Sequence, residues 1–134
     1  MLMAKKYLKK IIAQSQQDLK VISACCEGGK IKVNDIKYLP MNKIFLFLVD
    51  RTAREKENSN EKVKSIVKFE YIENSKSKNI DHSNSDNFIE LMAINIFKNK
   101  KNYEITLLFS NNGIITLTAE IVEVVLEDQN KIND

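Results

Sequence analysis

The apolar residues of this chain keep a helical period over one short stretch and a period of two almost everywhere after it. The stretch opens at Ser15-Gln16-Gln17-Asp18. This is the S-x-x-D form of a helix start, in which the Ser15 hydroxyl accepts from the Asp18 amide and the Asp18 carboxylate reaches back. Leu19, Ile22 and Cys26 follow at spacings that place them on one face. Gly28-Gly29 then supplies a residue that enters positive φ without strain. The predicted helix, Gln16–Glu27, has about three turns, too few to stand alone, so its stripe must lie on a sheet.

A short strand precedes the helix near Ile11, and beyond it the strand period takes over. Ile31 and Val33 alternate with lysines, and Asn34-Asp35 makes a turn. Ile36–Leu39 runs to Pro40, which bars a central ladder position there. Lys43–Val49 is apolar on both faces and is expected at the centre of the sheet. Arg51–Glu61 reads as a loop. Val63, Ser65, Val67, Phe69 and Tyr71 form one face of the next strand. Asn74–Asn87 reads as a long surface loop. Glu90–Phe97 is expected as a strand, with a short helix over Asp86–Ala93 fitting almost as well. Tyr103–Phe109 and Ile114–Ile121 make a hairpin, and a three-residue loop Asn111–Gly113 would pair Phe109 with Ile115 and put Gly113 at positive φ. The last strand switches its apolar set from odd to even positions, which places a bulge or bend near Glu120–Val122. Glu127–Asp134 is expected to fray.

At 134 residues the chain is expected to form one domain over 11–128, with a basic extension at 1–10 and a polar tail at 129–134. The longest apolar run, Ile44–Val49, is far short of the roughly 20 residues of a membrane span, and the N-terminus lacks a secretory core. A cytoplasmic location is therefore expected. Cys25 and Cys26 are adjacent, and neighbours on a helix diverge, so a shared metal or an easy disulfide is disfavoured. The net charge of +3 is uneven: residues 1–43 carry +6 and residues 104–134 carry −5. Packing of the two ends near each other would neutralise both.

Ile11-Ile12-Ala13-Gln14, Asp18-Leu19, Ile22-Ser23-Ala24, Asp35-Ile36 and Tyr38-Leu39-Pro40 together resemble an uncharacterised alphaproteobacterial family, the domain of unknown function DUF2948. The resemblance extends weakly through Arg51, without the aromatic residues that follow in that family. It returns over Ile115–Glu120, Glu123, Leu126 and Asp128. It implies a bacterial cytoplasmic protein with no known activity. Among the matching polar residues, Asp18 reads as a helix cap and Asp35 as a turn former. Tyr38, Arg51, Glu120, Glu123 and Asp128 remain as ligand-binding candidates, with a structural ion pair as the simpler role for Arg51 and Glu120.

No catalytic set follows from the sequence. His82 lies between Asp81 and Ser83 in a polar segment, without a second histidine, a nucleophile-elbow turn or a zincin pattern. No phosphate loop, metal-ligand spacing or cofactor fingerprint is present, so neither metal nor cofactor is expected. The expected fold is α+β and mostly antiparallel. Six to seven strands would form a curled sheet, or a partly closed barrel or sandwich, with one N-terminal amphipathic helix. The expected role is a small non-enzymatic binding or assembly module, with a protein partner or homo-oligomer and no membrane. A nucleic-acid-binding module is the alternative, and an enzyme with a polar site near Arg51, Glu120 and Asp128 comes third.

Overall fold

A computed structural model describes residues 9–53 and 61–131. In chain order the elements are β1 (Lys10–Ala13), α1 (Gln16–Cys26), β2 (Lys30–Lys32), β3 (Ile36–Leu39), β4 (Ile44–Thr52), β5 (Lys62–Phe69), β6 (Ile72–Lys78), β7 (Phe88–Asn99), β8 (Asn102–Phe109), β9 (Ile114–Ala119) and β10 (Val124–Lys131). Among the described residues the fold is thus α+β, with ten strands where six to seven were expected. The excess has a physical origin. Beyond Ile72, β6 is polar on both faces, so alternation could not reveal it within the expected Asn74–Asn87 loop. The bend expected near Glu120–Val122 is real and splits the last strand into β9 and β10.

All strand pairs are antiparallel, in the order β1-β10-β5-β4-β2-β7-β8-β9-β6, with β3 also on β4. The hydrogen-bonded path is open and ends at β1 and β6. Its two halves meet where two paired strands break together. β5 pairs with β10 through Phe69 and Val124, while β6 pairs with β9 through Ile72 and Ala119. Between them Glu70 donates to the Glu123 carbonyl and Glu120 to the Tyr71 carbonyl. Tyr71 takes φ 61° at this corner and is 42 % exposed, so it leaves the inward row to which alternation assigned it. Positive φ is uncommon for a bulky side chain and here reverses the direction of the strand. Inward residues of β4, β5, β7, β8, β9 and β10 share one apolar cluster, so the sheet folds over a single core.

The helix begins as expected. Ser15 Oγ accepts from the Asp18 amide at 3.1 Å, while Asp18 itself accepts from the Gln14 amide. Its buried residues are Leu19, Ile22 and Cys26. Gly28 has φ 82°. The helix lies along the edge of β7 that β2 leaves open. β2 covers only Phe88–Glu90. Beyond it Gly28 and Gly29 bond to Leu91, and Ser23 Oγ accepts from the Ile94 amide at 2.9 Å. Over Asp86–Ala93 the strand alternative is the observed one from Phe88 onward.

The final hairpin corrects one expectation. Leu107 pairs with Ile115 and Ile105 with Leu117, two residues away from the predicted register but with the same parity, so the apolar set still faces inward. A short 3₁₀ turn over Ser110–Asn112 lengthens the loop, and positive φ falls on Asn111 and Asn112. Gly113 has φ −70°. Asparagine tolerates the left-handed region through its short polar side chain, which relieved glycine of that task.

Ile22→Ala should lower stability by about 2–5 kcal/mol in denaturant unfolding, because the site is fully buried. Gly29→Ala should cost about 1–3 kcal/mol. A methyl there would stand 2.5 Å from Val49 Cγ2 and 2.9 Å from the Cys26 carbonyl oxygen.

Candidate functional site

Three adjacent strands each place one polar residue on the inward, apolar parity. Arg51 follows Phe45, Phe47 and Val49 on β4, Ser65 sits between Val63 and Val67 on β5, and Asp128 follows Val124 and Leu126 on β10. Asp128 and Ser65 are register partners. The three close a buried network. Arg51 donates through its terminal nitrogen to both Asp128 oxygens at 2.9 and 3.2 Å, and through Nε to Ser65 Oγ at 2.9 Å. Ser65 Oγ donates to Asp128 Oδ1 at 2.6 Å. The Lys9 amide donates to Asp128 Oδ2 and the Lys9 carbonyl accepts from the Asp128 amide. Every buried side-chain nitrogen and oxygen among the described residues has a partner. The Asp128 carboxylate spends its acceptor capacity inside the protein, and the network ties the two ends of the described chain to β4 and β5. Ser65 was legible as a polar residue in an apolar row, a signal that sequence reasoning passed over.

The other candidates do not join this network. Tyr38 donates its hydroxyl proton to the Ile72 carbonyl at 3.1 Å, pinning β3 to the start of β6. Glu120 holds Lys43 at 2.9 Å on the surface. That hydrogen bond, followed by the charge of Glu120, raises the Lys43 pKa above the ordinary lysine value. The lysine side of the tie is therefore charged at neutral pH and loses its charge as pH rises through the raised value. Glu123 accepts from Gln14 Nε2 at 3.5 Å beside an open groove of about 450 Å³ that Tyr103 and Ile121 also line. His82 Nε2 lies 3.1 Å from Ser77 Oγ in an exposed position. Asp81 is held by Ser83, which keeps its carboxyl below the usual range. Cys26 is buried and Cys25 half-buried. No group of three or more metal-binding side chains occurs among the described residues. None of the described helices is long and apolar enough to cross a membrane.

A further surface feature is the outer face of β3-β4-β5-β10-β1. β4 is central, as its two apolar faces led one to expect, with Phe45, Phe47 and Val49 fully inside. Its outward residues Ile44, Leu46 and Leu48 are half-buried. Leu48 stands opposite Ile66 of β5, and Val125 of β10 stands opposite Ile12 of β1. Ile12 is 53 % exposed and Leu39 of β3 is 40 % exposed. A shallow groove of about 320 Å³ runs over this face between Ile12, Ile66 and Val125. Lys64 pairs with Asp50 at 2.8 Å, Lys68 lies 3.9 Å from Glu70, and Lys10 is the register partner of Glu127.

A family described as "Protein of unknown function (DUF2948)" matches residues 9–133. No curated protein matches the chain. A solved structure, "Crystal structure of an uncharacterized protein from Neisseria gonorrhoeae", is similar at 16 % identity with a TM-score of 0.44, over 87 % of this chain and 96 % of that chain.

Arg51→Met or Asp128→Leu alone should cost about 3–5 kcal/mol, because each strands a buried charge. The double substitution should recover part of that loss in urea unfolding, since neither charge of this pair is then buried without the other. A double variant as unstable as the sum of the singles would mean that the network does more than pair two charges.

Proposed function

We propose, for a chain that belongs to the DUF2948 family of proteins of unknown function, a small non-enzymatic binding or assembly module of the bacterial cytoplasm that works through the outer face of β3-β4-β5-β10-β1. One observation carries this reading. β4 is apolar on both faces, as strands are in sheets covered on both sides, yet its outward row Ile44, Leu46 and Leu48 is less buried than its inward row Phe45, Phe47 and Val49. Contiguous half-exposed apolar surface on a sheet marks a site of protein contact.

The enzyme reading has less support. Arg51 and Asp128 are buried and engaged with each other, and Glu120 is bonded elsewhere. Nucleic-acid binding also has less support. The exposed aromatic residues of β7, Phe88 and Phe97, are separated by roughly 30 Å of strand. Single-strand platforms stack successive bases on neighbouring rings.

Tagged protein cross-linked in cells that express it natively should recover a protein chain, either more of itself or another. Leu46→Glu, which sets a carboxylate opposite Lys68 on the outward face, should melt close to the parent and lose that recovery. Recovery of RNA by the parent, or equal protein recovery by the variant, would sink the reading.

A further inference from the structure

We propose that the Asn112–Gly113 pair, in the turn between β8 and β9, is a site of self-modification at which Asn112 becomes aspartate or isoaspartate. Among the asparagines of the chain, only Asn112 precedes a glycine. The Asn112 amide carbon and the Gly113 backbone nitrogen close a five-membered ring, so the attack is intramolecular and gains from proximity. Glycine has no Cβ to obstruct that approach, and its backbone turns freely.

The Gly113 nitrogen gives up its proton and bonds to Asn112 Cγ. The Cγ–Nδ2 bond breaks, and the amide leaves as ammonia with that proton. One water then opens the succinimide. Addition at Cγ restores the ordinary backbone and leaves aspartate. Addition at the backbone carbonyl carbon leaves the chain running through Cγ, which is isoaspartate. Water is the only co-reactant.

The turn favours the reaction at this pair. Asn112 is exposed and lies outside the β8–β9 ladder, which ends at Leu108 and Ile114. It has φ 65° and follows Asn111 at φ 60°. Two successive left-handed residues with side chains hold a conformation that costs each of them. The Gly113 amide donates to the Ser110 carbonyl at 3.3 Å, the longest turn or loop backbone bond among the described residues. The attacking nitrogen is thus loosely held, and a short exposed turn opens without loss of the strands beside it.

The two products differ in what they do to the hairpin. Aspartate keeps the backbone and tolerates the left-handed region as asparagine does. Isoaspartate adds a carbon to the backbone and turns the Asn112 carbonyl, which accepts from Asn79 Nδ2 at 3.1 Å, into a free carboxylate. The lengthened link meets Gly113, whose carbonyl closes the hairpin by accepting from the Phe109 amide at 2.8 Å. Gly113 is tightly enclosed, since a Cβ on it would stand 3.3 Å from both Ile80 Cγ1 and Phe109 Cβ.

Peptide mass spectrometry tests this on the purified full chain, held at growth temperature in neutral and in mildly alkaline buffer, beside the same chain in urea. The folded chain should exchange an amide for a carboxyl at Asn112, faster at the higher pH because the attacking nitrogen must lose its proton. Asn74–Ser75, inside β6, and Asn84–Ser85, whose serine carbonyl accepts from the Asn34 amide, should stay intact over the same period. Gly113→Ala should slow the exchange at least about tenfold. If that variant does not fold, Asn112→Gly, which suits positive φ, should show no mass gain in the turn peptide. An endoprotease that cuts before aspartate and not before isoaspartate tells the products apart. The isoaspartyl form should melt below the parent, and Asn112→Asp should melt close to it. A folded chain that keeps the Asn112 amide, whether or not the chain in urea loses it, overturns the site. Equal loss at Asn74 or Asn84 does the same. An isoaspartyl form that melts with the parent overturns the effect on the hairpin.

Discussion

The fold depends on two hydrogen-bonded strands breaking at the same level. Glu70–Tyr71 and Glu120–Glu123 face each other across the ladder, and their backbone groups bond across the break. If only one strand bent, its partner would lose its ladder and leave backbone groups unpaired, at a cost comparable to a lost hydrogen bond each. Because both bend, β5–β6 and β9–β10 remain one ribbon while the sheet folds over. The inward rows on either side of the bend then line one core, and the Lys43 carbonyl comes within reach of the Ile72 amide. Tyr71 carries the strain of the corner in its positive φ.

Once the sheet has folded, its two surfaces invert the usual sorting at two places. Inside, Arg51, Ser65 and Asp128 bring charge into the core. The network is satisfied and holds β10, and through Asp128 the Lys9 backbone, against the middle of the sheet. Such a network adds little net stability over an apolar core, but it penalises any register that separates its members. Outside, Ile44, Leu46, Leu48, Ile66, Val125 and Ile12 bring apolar surface toward water. A buried charge with full partners explains itself within one chain. An incompletely buried apolar row does not, and this difference directs attention away from the polar candidates and toward the sheet face.

Much of this was legible in the residues. The capping serine, the Leu19–Ile22–Cys26 stripe and the glycine stop are local, because a helix start, face and end are set within about a dozen neighbouring positions. The inward parity of β4, β5, β8 and β9 was equally legible, since a period of two needs only the strand itself. The odd-to-even switch announced the bend before β10. Parity also survived the error in the last hairpin: the loop is longer than predicted, yet shifting the register by two leaves every side chain on its face.

Tertiary structure alone decided the rest, because it depends on which distant residues meet. β6 has no apolar row beyond Ile72, so only its pairing with β9 makes it a strand. Any acid could have paired with Arg51, and the adjacency of β10 to β5 brought Asp128, and not Glu120, within its reach. Ser23 became the acceptor for the Ile94 amide because the helix lies along an edge that β2 leaves open. The two-faced apolarity of β4 was visible in the sequence and placed that strand centrally. That its inward row is the fully buried one follows from the fold of the sheet, which brings the inward rows of β7, β8 and β9 and the stripe of α1 into one core with it.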